Sequence, residues 1–85
     1  MNKPHDISLG KGWSVIFEDA ENPVYIEYHR MSQCFGASLG YFEENYGTSV
    51  DEFDAPQSVI DKFHENEDII YAWENDYYER NPRDS

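Results

Sequence analysis

Residues 65–80 read ENEDIIYAWENDYYER. The fold depends on whether this segment is solvated or buried, because it contains six acids and four large aromatic residues. Clustered like charges are typical of a solvated tail, whereas the aromatic and isoleucine side chains are typical of a core. Placing residues 55–80 on one helix, at 100° per residue, separates the two groups. The apolar side chains then fall within a stripe about 80° wide. Its members are Val59, Phe63, Ile70, Trp73 and Tyr77.

The opposite side of this predicted helix carries what we call the acidic stripe. Its members are Asp61, Glu65, Asp68, Asp76 and Glu79. Repulsion between carboxylates four residues apart costs a few tenths of a kcal/mol per pair, whereas burying one Trp or Phe contributes about 1.5–3 kcal/mol. The sequence therefore predicts one long amphipathic helix with an exposed acidic stripe. A strand through residues 69–73 is the alternative, but it explains neither stripe.

A β-hairpin is predicted upstream, where residues 12–30 read GWSVIFEDAENPVYIEYHR. Trp13, Val15 and Phe17 fall on one face of an alternating segment, and residues 24–28 alternate again. The β-branched and aromatic content, with a polar connection that contains Asn-Pro, is typical of two antiparallel strands.

Residues 31–40, MSQCFGASLG, leave two interpretations open. They fit a third short strand around residues 33–35, or a loop with two glycine hinges. The spacing of Leu39, Phe42 and Tyr46 then predicts a short helix that ends before Gly47.

The long helix is expected to begin with Asp54 as its N-cap and Pro56 in its first turn. We therefore predict a small α+β fold, with an N-terminal antiparallel β-hairpin packed against a short helix and a long C-terminal helix. At 85 residues the chain is expected to form a single domain over residues 1–85. Residues 1–11 and 81–85 are expected to be flexible ends.

The charge of the chain restricts its partners. There are 18 acids and 6 bases, a net charge of −12, and residues 43–79 hold twelve acids against Lys62 alone, a net charge of −11. This field disfavours direct binding to nucleic acid and to anionic membranes, and it favours a basic protein partner. The single cysteine, Cys34, fits a reducing compartment. Without a signal peptide or a membrane span, the expected location is the cytoplasm, or a host cell's cytoplasm if the chain is phage-encoded.

Carboxylates three or four residues apart on a helix are roughly 5–6 Å apart at Cβ, comparable to successive phosphates on a nucleic-acid strand. We therefore expect the acidic stripe to form a partner-binding surface. The remaining candidate residues of that surface are Glu43, Glu44, Asp51, Glu52, Asp54, Tyr71 and Tyr78. The two tyrosines could stack on arginines of a partner, or pack against the hairpin. Solubility and adaptation to high salt are the alternative explanations of the charge.

No pattern in the sequence predicts catalysis or metal binding. The three histidines and Cys34 lack the spacing of a zinc site, and residues 51–54, DEFD, lack the glycine and the final glutamate of a calcium loop. Cys34 and His29 could pair as nucleophile and base, but no third member is evident. We expect no enzymatic activity, no metal and no cofactor.

Residues 41–50, YFEENYGTSV, are similar to an acidic helix followed by Tyr-Gly-x-Ser-Val in a small anti-CRISPR family that acts on type I surveillance complexes. In size, charge and layout the chain resembles the small acidic anti-CRISPR and anti-restriction inhibitors of phages. The resemblance implies that carboxylates placed where phosphates would lie block DNA recognition by a Cas effector or restriction enzyme. The localised charge and the acidic stripe lead us to expect a stoichiometric inhibitor, a nucleic-acid mimic that occupies the basic groove of a DNA-handling protein. The expected oligomeric state is a monomer or homodimer. An immunity protein or antitoxin that neutralises a cognate nuclease or toxin is the alternative. A small regulatory domain or a minor enzyme is a third.

Overall fold

The computed structural model describes residues 1–45 and 55–82, which form a four-stranded antiparallel sheet and three helices. The order of the strands in the sheet is the order in the chain, β1-β2-β3-β4. The elements are β1 (Ile7–Gly10), β2 (Trp13–Phe17), β3 (Val24–Arg30), β4 (Gln33–Ser38), α1 (Leu39–Asn45), α2 (Gln57–Glu65) and α3 (Glu67–Arg80). The predicted α+β class is confirmed.

The predicted hairpin is strands β2 and β3, which pair from Trp13 opposite Tyr28 to Phe17 opposite Val24. Residues 31–40, left open between strand and loop, supply strand β4.

The N-terminus differs from the prediction. Residues 7–10 lie within the expected flexible end, but they form strand β1, in which Ile7 pairs with Val15 of β2. Alternation explains this edge strand, because Ile7 and Leu9 face the core side of the sheet while Ser8 is exposed.

Gly12 makes the turn between β1 and β2 possible. Lys11 and Gly12, the two residues of this turn, have φ angles of 53° and 85°, which is typical of the tight turns that match the twist of a hairpin. The backbone N–H of His29 donates a 2.9 Å hydrogen bond to the carbonyl oxygen of Gly12. A Cβ atom at position 12 would overlap the carbonyl oxygen of His29, so this approach requires glycine.

One face of the sheet packs against the three helices and forms the core. Three aromatic side chains on neighbouring strands stack across this face, with ring centroids 4.4 Å apart between Trp13 and Tyr28 and 6.2 Å apart between Tyr28 and Phe35. Phe42 of α1 lies 5.9 Å from the Trp13 ring and 5.1 Å from that of Phe63 of α2. These contacts join the sheet, α1 and α2 into one apolar cluster.

The prediction of one continuous helix over residues 55–80 is wrong, because the chain forms two helices that meet at Asn66. The amide Nδ2 of Asn66 donates a 2.8 Å hydrogen bond to the carbonyl oxygen of Lys62. Its backbone N–H donates to the carbonyl oxygen of Phe63, three residues earlier, and so departs from the α-helical pattern of bonding four residues back. Asparagine favours helix ends because its side chain competes for backbone groups. Helix α2 then packs beside β1, while α3 contacts β3.

The apolar stripe predicted for this region is buried despite the break. Val59, Phe63, Ile70 and Trp73 are each at most 1% exposed, while Tyr77 is only half-buried.

The beginning of α2 also differs from the prediction. Pro56 is its N-cap residue rather than part of its first turn. The predicted N-cap Asp54, with Tyr46 and Gly47 at the expected end of the short helix, lies outside the described residues.

Candidate functional site

The negative charge of the chain is concentrated in the helical layer. The three helices hold nine acids and two bases, a net charge of −7, whereas residues 1–38 hold five acids and three bases, a net charge of −2. Because the inner sides of the helices fill the core, their charged side chains lie on the outer sides. The uneven charge of the sequence is therefore also uneven in space.

The two stripe members on α2 are exposed and lie close to polar partners. Asp61 accepts a 2.9 Å hydrogen bond from Nε2 of Gln57, and Glu65 lies 3.7 Å from Nζ of Lys62. Such an exposed ion pair is weak, typically 0–1 kcal/mol, so a basic partner could replace Lys62 at little cost.

The stripe members on α3 differ from one another. Asp68 and Glu79 are exposed, whereas Asp76 is partly buried and accepts a 2.8 Å hydrogen bond from Nε of Arg80. The N-terminal ammonium group lies 3.6 Å from the same carboxylate. The bond from Arg80, reinforced by that ammonium, lowers the pKa of Asp76. Its charge is thus neutralised within the protein, which makes Asp76 the weakest candidate for contact with a partner.

Arg80 connects the end of α3 to the turn between β2 and β3. Its Nη2 donates a 3.1 Å hydrogen bond to Asp19, and its guanidinium carbon lies 5.2 Å from the centroid of the Trp73 ring. These bonds to Asp76 and Asp19 raise the pKa of Arg80. Asp76 is therefore part of a structural cluster, whereas Glu79 beside it is exposed.

Tyr71 joins α3 to α1. It is partly buried against the core, and its hydroxyl donates a 2.8 Å hydrogen bond to Oε2 of Glu43. Burial, then that bond to a carboxylate, raises the pKa of Tyr71 above its ordinary value. Burial, followed by the charge of Glu43, also raises the pKa of Glu74. Of the two interpretations of Tyr71, packing is the one that this geometry supports.

The other predicted residues are distributed as follows. Glu44 is exposed on α1, and Tyr78 is half-buried with its ring centroid 5.5 Å from that of Tyr77. Asp51, Glu52 and Asp54 lie outside the described residues. Because the acidic stripe is divided between α2 and α3, no single helix fixes the spacing between its two halves.

A second cluster, of which the sequence analysis considered only the pair His29 and Cys34, lies on the face of the sheet opposite the helices. It consists of Glu27 and His29 on β3 and Cys34 on β4, whose ligand atoms all lie within 4.8 Å of one another. Oε2 of Glu27 is 3.4 Å from Nε2 of His29, and Sγ of Cys34 is 3.6 Å from the same nitrogen. Pairing of His29 with Cys34 across the strands creates the cluster, so its only sequence signal was the hairpin register.

Comparison of the chain with known protein families, with curated proteins and with solved structures finds no match. Over residues 1–45 and 55–82, no helix combines the length and the apolar character that crossing a bilayer requires.

Proposed function

We propose that this protein is a stoichiometric inhibitor that binds a basic, DNA-handling protein through the carboxylates of its helical layer. The carboxylates occupy positions that phosphates of DNA would take in a groove lined by lysine and arginine. Charge-assisted hydrogen bonds and release of counterions would drive the association, as they do for DNA itself. The proposed partner is a Cas effector, which the resemblance of residues 41–50 implies, or a restriction enzyme, which the resemblance in size, charge and layout implies.

The observation that carries this proposal is the net charge of −7 on helices α1, α2 and α3, whose apolar sides are buried in the core. The members best placed for contact are Asp61, Glu65, Asp68 and Glu79, which are all exposed. They lie on two successive helices, so the surface is a pair of short acidic segments. The division between them limits how closely the array can follow the regular spacing of one DNA strand.

The experiment measures displacement of fluorescent duplex DNA from a purified type I Cas surveillance complex and from a purified restriction endonuclease. We expect the protein to displace DNA from one of them at an equimolar ratio, and its inhibition constant to rise steeply with salt concentration. The double variant Asp61→Lys/Asp68→Lys should lose this activity while keeping the circular dichroism spectrum of the native chain.

The matched control is Asp6→Lys/Glu21→Lys, which changes the net charge by the same amount at two exposed positions of the sheet layer. This variant should displace DNA nearly as well as the native protein. Equal loss in both double variants would show a non-specific charge effect, and full activity of Asp61→Lys/Asp68→Lys would exclude the helical layer as the interface.

The alternative, an immunity protein or antitoxin, relies on the same acidic surface. It predicts protection of cells against one cognate nuclease or toxin without displacement of DNA from either purified complex.

A further inference from the structure

We propose that Glu27, His29 and Cys34 form a binding site for a divalent transition-metal ion of the zinc class. This site is on the sheet face opposite the helices and is independent of the acidic surface proposed to bind a partner. Glu27 and His29 are alternate residues of β3 and therefore project to one side, opposite Tyr28, which packs with the core cluster. Cys34 is the register partner of His29, so its side chain joins them on that side.

The separations between the ligand atoms fit tetrahedral coordination. With the usual Zn–S, Zn–N and Zn–O bond lengths and a tetrahedral angle, a thiolate sulfur and an imidazole nitrogen should be about 3.5 Å apart, and the nitrogen and a carboxylate oxygen about 3.3 Å apart. The observed separations are 3.6 Å between Cys34 and His29, and 3.4 Å between His29 and Glu27. The third separation, between Sγ of Cys34 and the carboxylate of Glu27, is within 4.8 Å, against about 3.6 Å in a tetrahedral site. One ion can therefore contact all three atoms once the exposed Cys34 and Glu27 side chains adjust.

The same geometry argues against a catalytic triad. A triad needs the carboxylate on one ring nitrogen of the histidine and the nucleophile on the other. Here the sulfur of Cys34 and the carboxylate of Glu27 both approach Nε2 of His29. In any one protonation state that nitrogen either donates or accepts a hydrogen bond. A bound metal ion would instead be coordinated by the sulfur, the nitrogen and the oxygen together.

The types of the ligands select the ion. Calcium and magnesium take oxygen ligands, whereas a set of thiolate, imidazole and carboxylate suits zinc and its neighbours in the first transition series. Gly36, the register partner of Glu27, places no side chain beside the carboxylate. His29 and Cys34 are exposed, which leaves solvent access for water as the fourth ligand. The net charge of −12 attracts a divalent cation from solution.

The test is titration of the reduced, full-length protein with Co²⁺ under anaerobic conditions, because tetrahedral cobalt reports both geometry and ligands. Binding should produce a thiolate-to-cobalt charge-transfer band in the near ultraviolet and intense ligand-field bands in the visible region, and the thiol should release its proton to the solvent. Zn²⁺ should displace the cobalt at one ion per chain. Because Cys34 is the single cysteine of the sequence, the charge-transfer band identifies it without ambiguity.

Variants then test the three ligands separately. Cys34→Ser should abolish the charge-transfer band, and His29→Gln or Glu27→Gln should each weaken cobalt binding by at least about tenfold, the lower end of what loss of an outer-sphere partner costs. The matched control is His64→Gln, which removes a histidine that contacts a carboxylate, Glu67, on the helical side. It should leave the affinity unchanged. All substituted positions of the site are partly or fully exposed, so circular dichroism should confirm that each variant folds.

Three results would overturn the site. The first is absence of the charge-transfer band at saturating cobalt. The second is a cobalt affinity that stays unchanged in His29→Gln and Glu27→Gln, which would show adventitious binding to the thiol alone. The third is half an ion per chain with metal-dependent dimerisation, which would place the ion between two copies. None of these results depends on the DNA-displacement experiment, so the two proposals fail separately.

Discussion

The indole Nε1 of Trp73 donates a buried 3.1 Å hydrogen bond to the carbonyl oxygen of Pro23. The same N–H lies 3.0 Å from the carbonyl oxygen of Glu18, at the other end of the connection between β2 and β3. A side chain of α3 thus closes the loop of the central hairpin, about fifty residues away in the chain. The buried tryptophan therefore supplies both core volume and a polar link that fixes the helix against the sheet.

We expect Trp73→Phe to destabilise the protein by about 2–4 kcal/mol, because it removes that donor from two carbonyls and leaves a smaller ring in the core. Urea unfolding followed by circular dichroism measures the effect. Tyr77→Phe on the same helix removes a hydroxyl for which the described residues show no hydrogen bond, and it should change stability by less than about 0.5 kcal/mol. Comparable losses in the two variants would argue against the polar link.

Two glycines, Gly10 at the end of β1 and Gly12 in the turn that follows, provide a matched pair. Gly10 and Gly12 have φ angles of 86° and 85°, but only at Gly12 would an added Cβ meet backbone, namely the carbonyl of His29. Gly10→Ala should cost about 1–2 kcal/mol for the left-handed conformation alone. Gly12→Ala should cost more, about 3 kcal/mol or above, because the turn that leads into β2 must also move away from His29 of β3. Thermal unfolding of both variants tests this, and equal costs would contradict the close approach.

The turn between β3 and β4 holds a residue in an unfavourable conformation. Met31 has a φ angle of 55° and is 99% exposed, so its side chain gains no burial in return. Met31→Gly should therefore stabilise the protein by about 0.5–1 kcal/mol. Ser32→Gly changes the next position, where φ is not positive. It should be neutral or destabilising, because its only effect is to raise the conformational entropy of the unfolded chain. A gain from Ser32→Gly equal to that from Met31→Gly would refute the strain at Met31.

This turn also shows what sequence reasoning could not find. Residues 31–32 are Met-Ser, without the Asn-Gly or Asp-Gly that usually announces a hairpin, so β4 remained one of two alternatives. The cluster of Glu27, His29 and Cys34 depends on that pairing, so the sequence indicated the pair His29 and Cys34 but not Glu27 as its third member. The β2–β3 hairpin was predictable because alternation and a polar connection occur together.

For the helical half, the sequence predicted which residues are buried, but it did not predict that the helix is interrupted at Asn66. Periodicity identified Val59, Phe63, Ile70 and Trp73 as core residues, because the break at Asn66 leaves their spacing nearly intact. Helices α1, α2 and α3 each end at or next to an asparagine whose Nδ2 donates to the carbonyl four residues earlier. These asparagines are Asn45, Asn66 and Asn81. Asn66 was therefore the missed signal, since asparagine is unfavourable in a helix interior.

The last prediction concerns Glu74, whose pKa is raised by burial and by the nearby charge of Glu43. A carboxyl with a raised pKa in the folded state favours folding when it is protonated, below its unfolded pKa of about 4.3. That contribution is lost as the pH rises through the folded pKa. We therefore expect Glu74→Gln to stabilise the protein at pH 7, by less than about 1 kcal/mol for this partly exposed group, and the gain to disappear below about pH 4.

Glu79→Gln removes the same formal charge from an exposed position of α3 and serves as the control. Urea unfolding of both variants at a series of pH values gives the comparison. A pH-dependent gain for Glu74→Gln that exceeds the gain for Glu79→Gln would locate the electrostatic cost at the junction of α1 and α3. Identical pH profiles would instead assign it to the net charge of the whole chain, because relief of general repulsion does not distinguish the two positions.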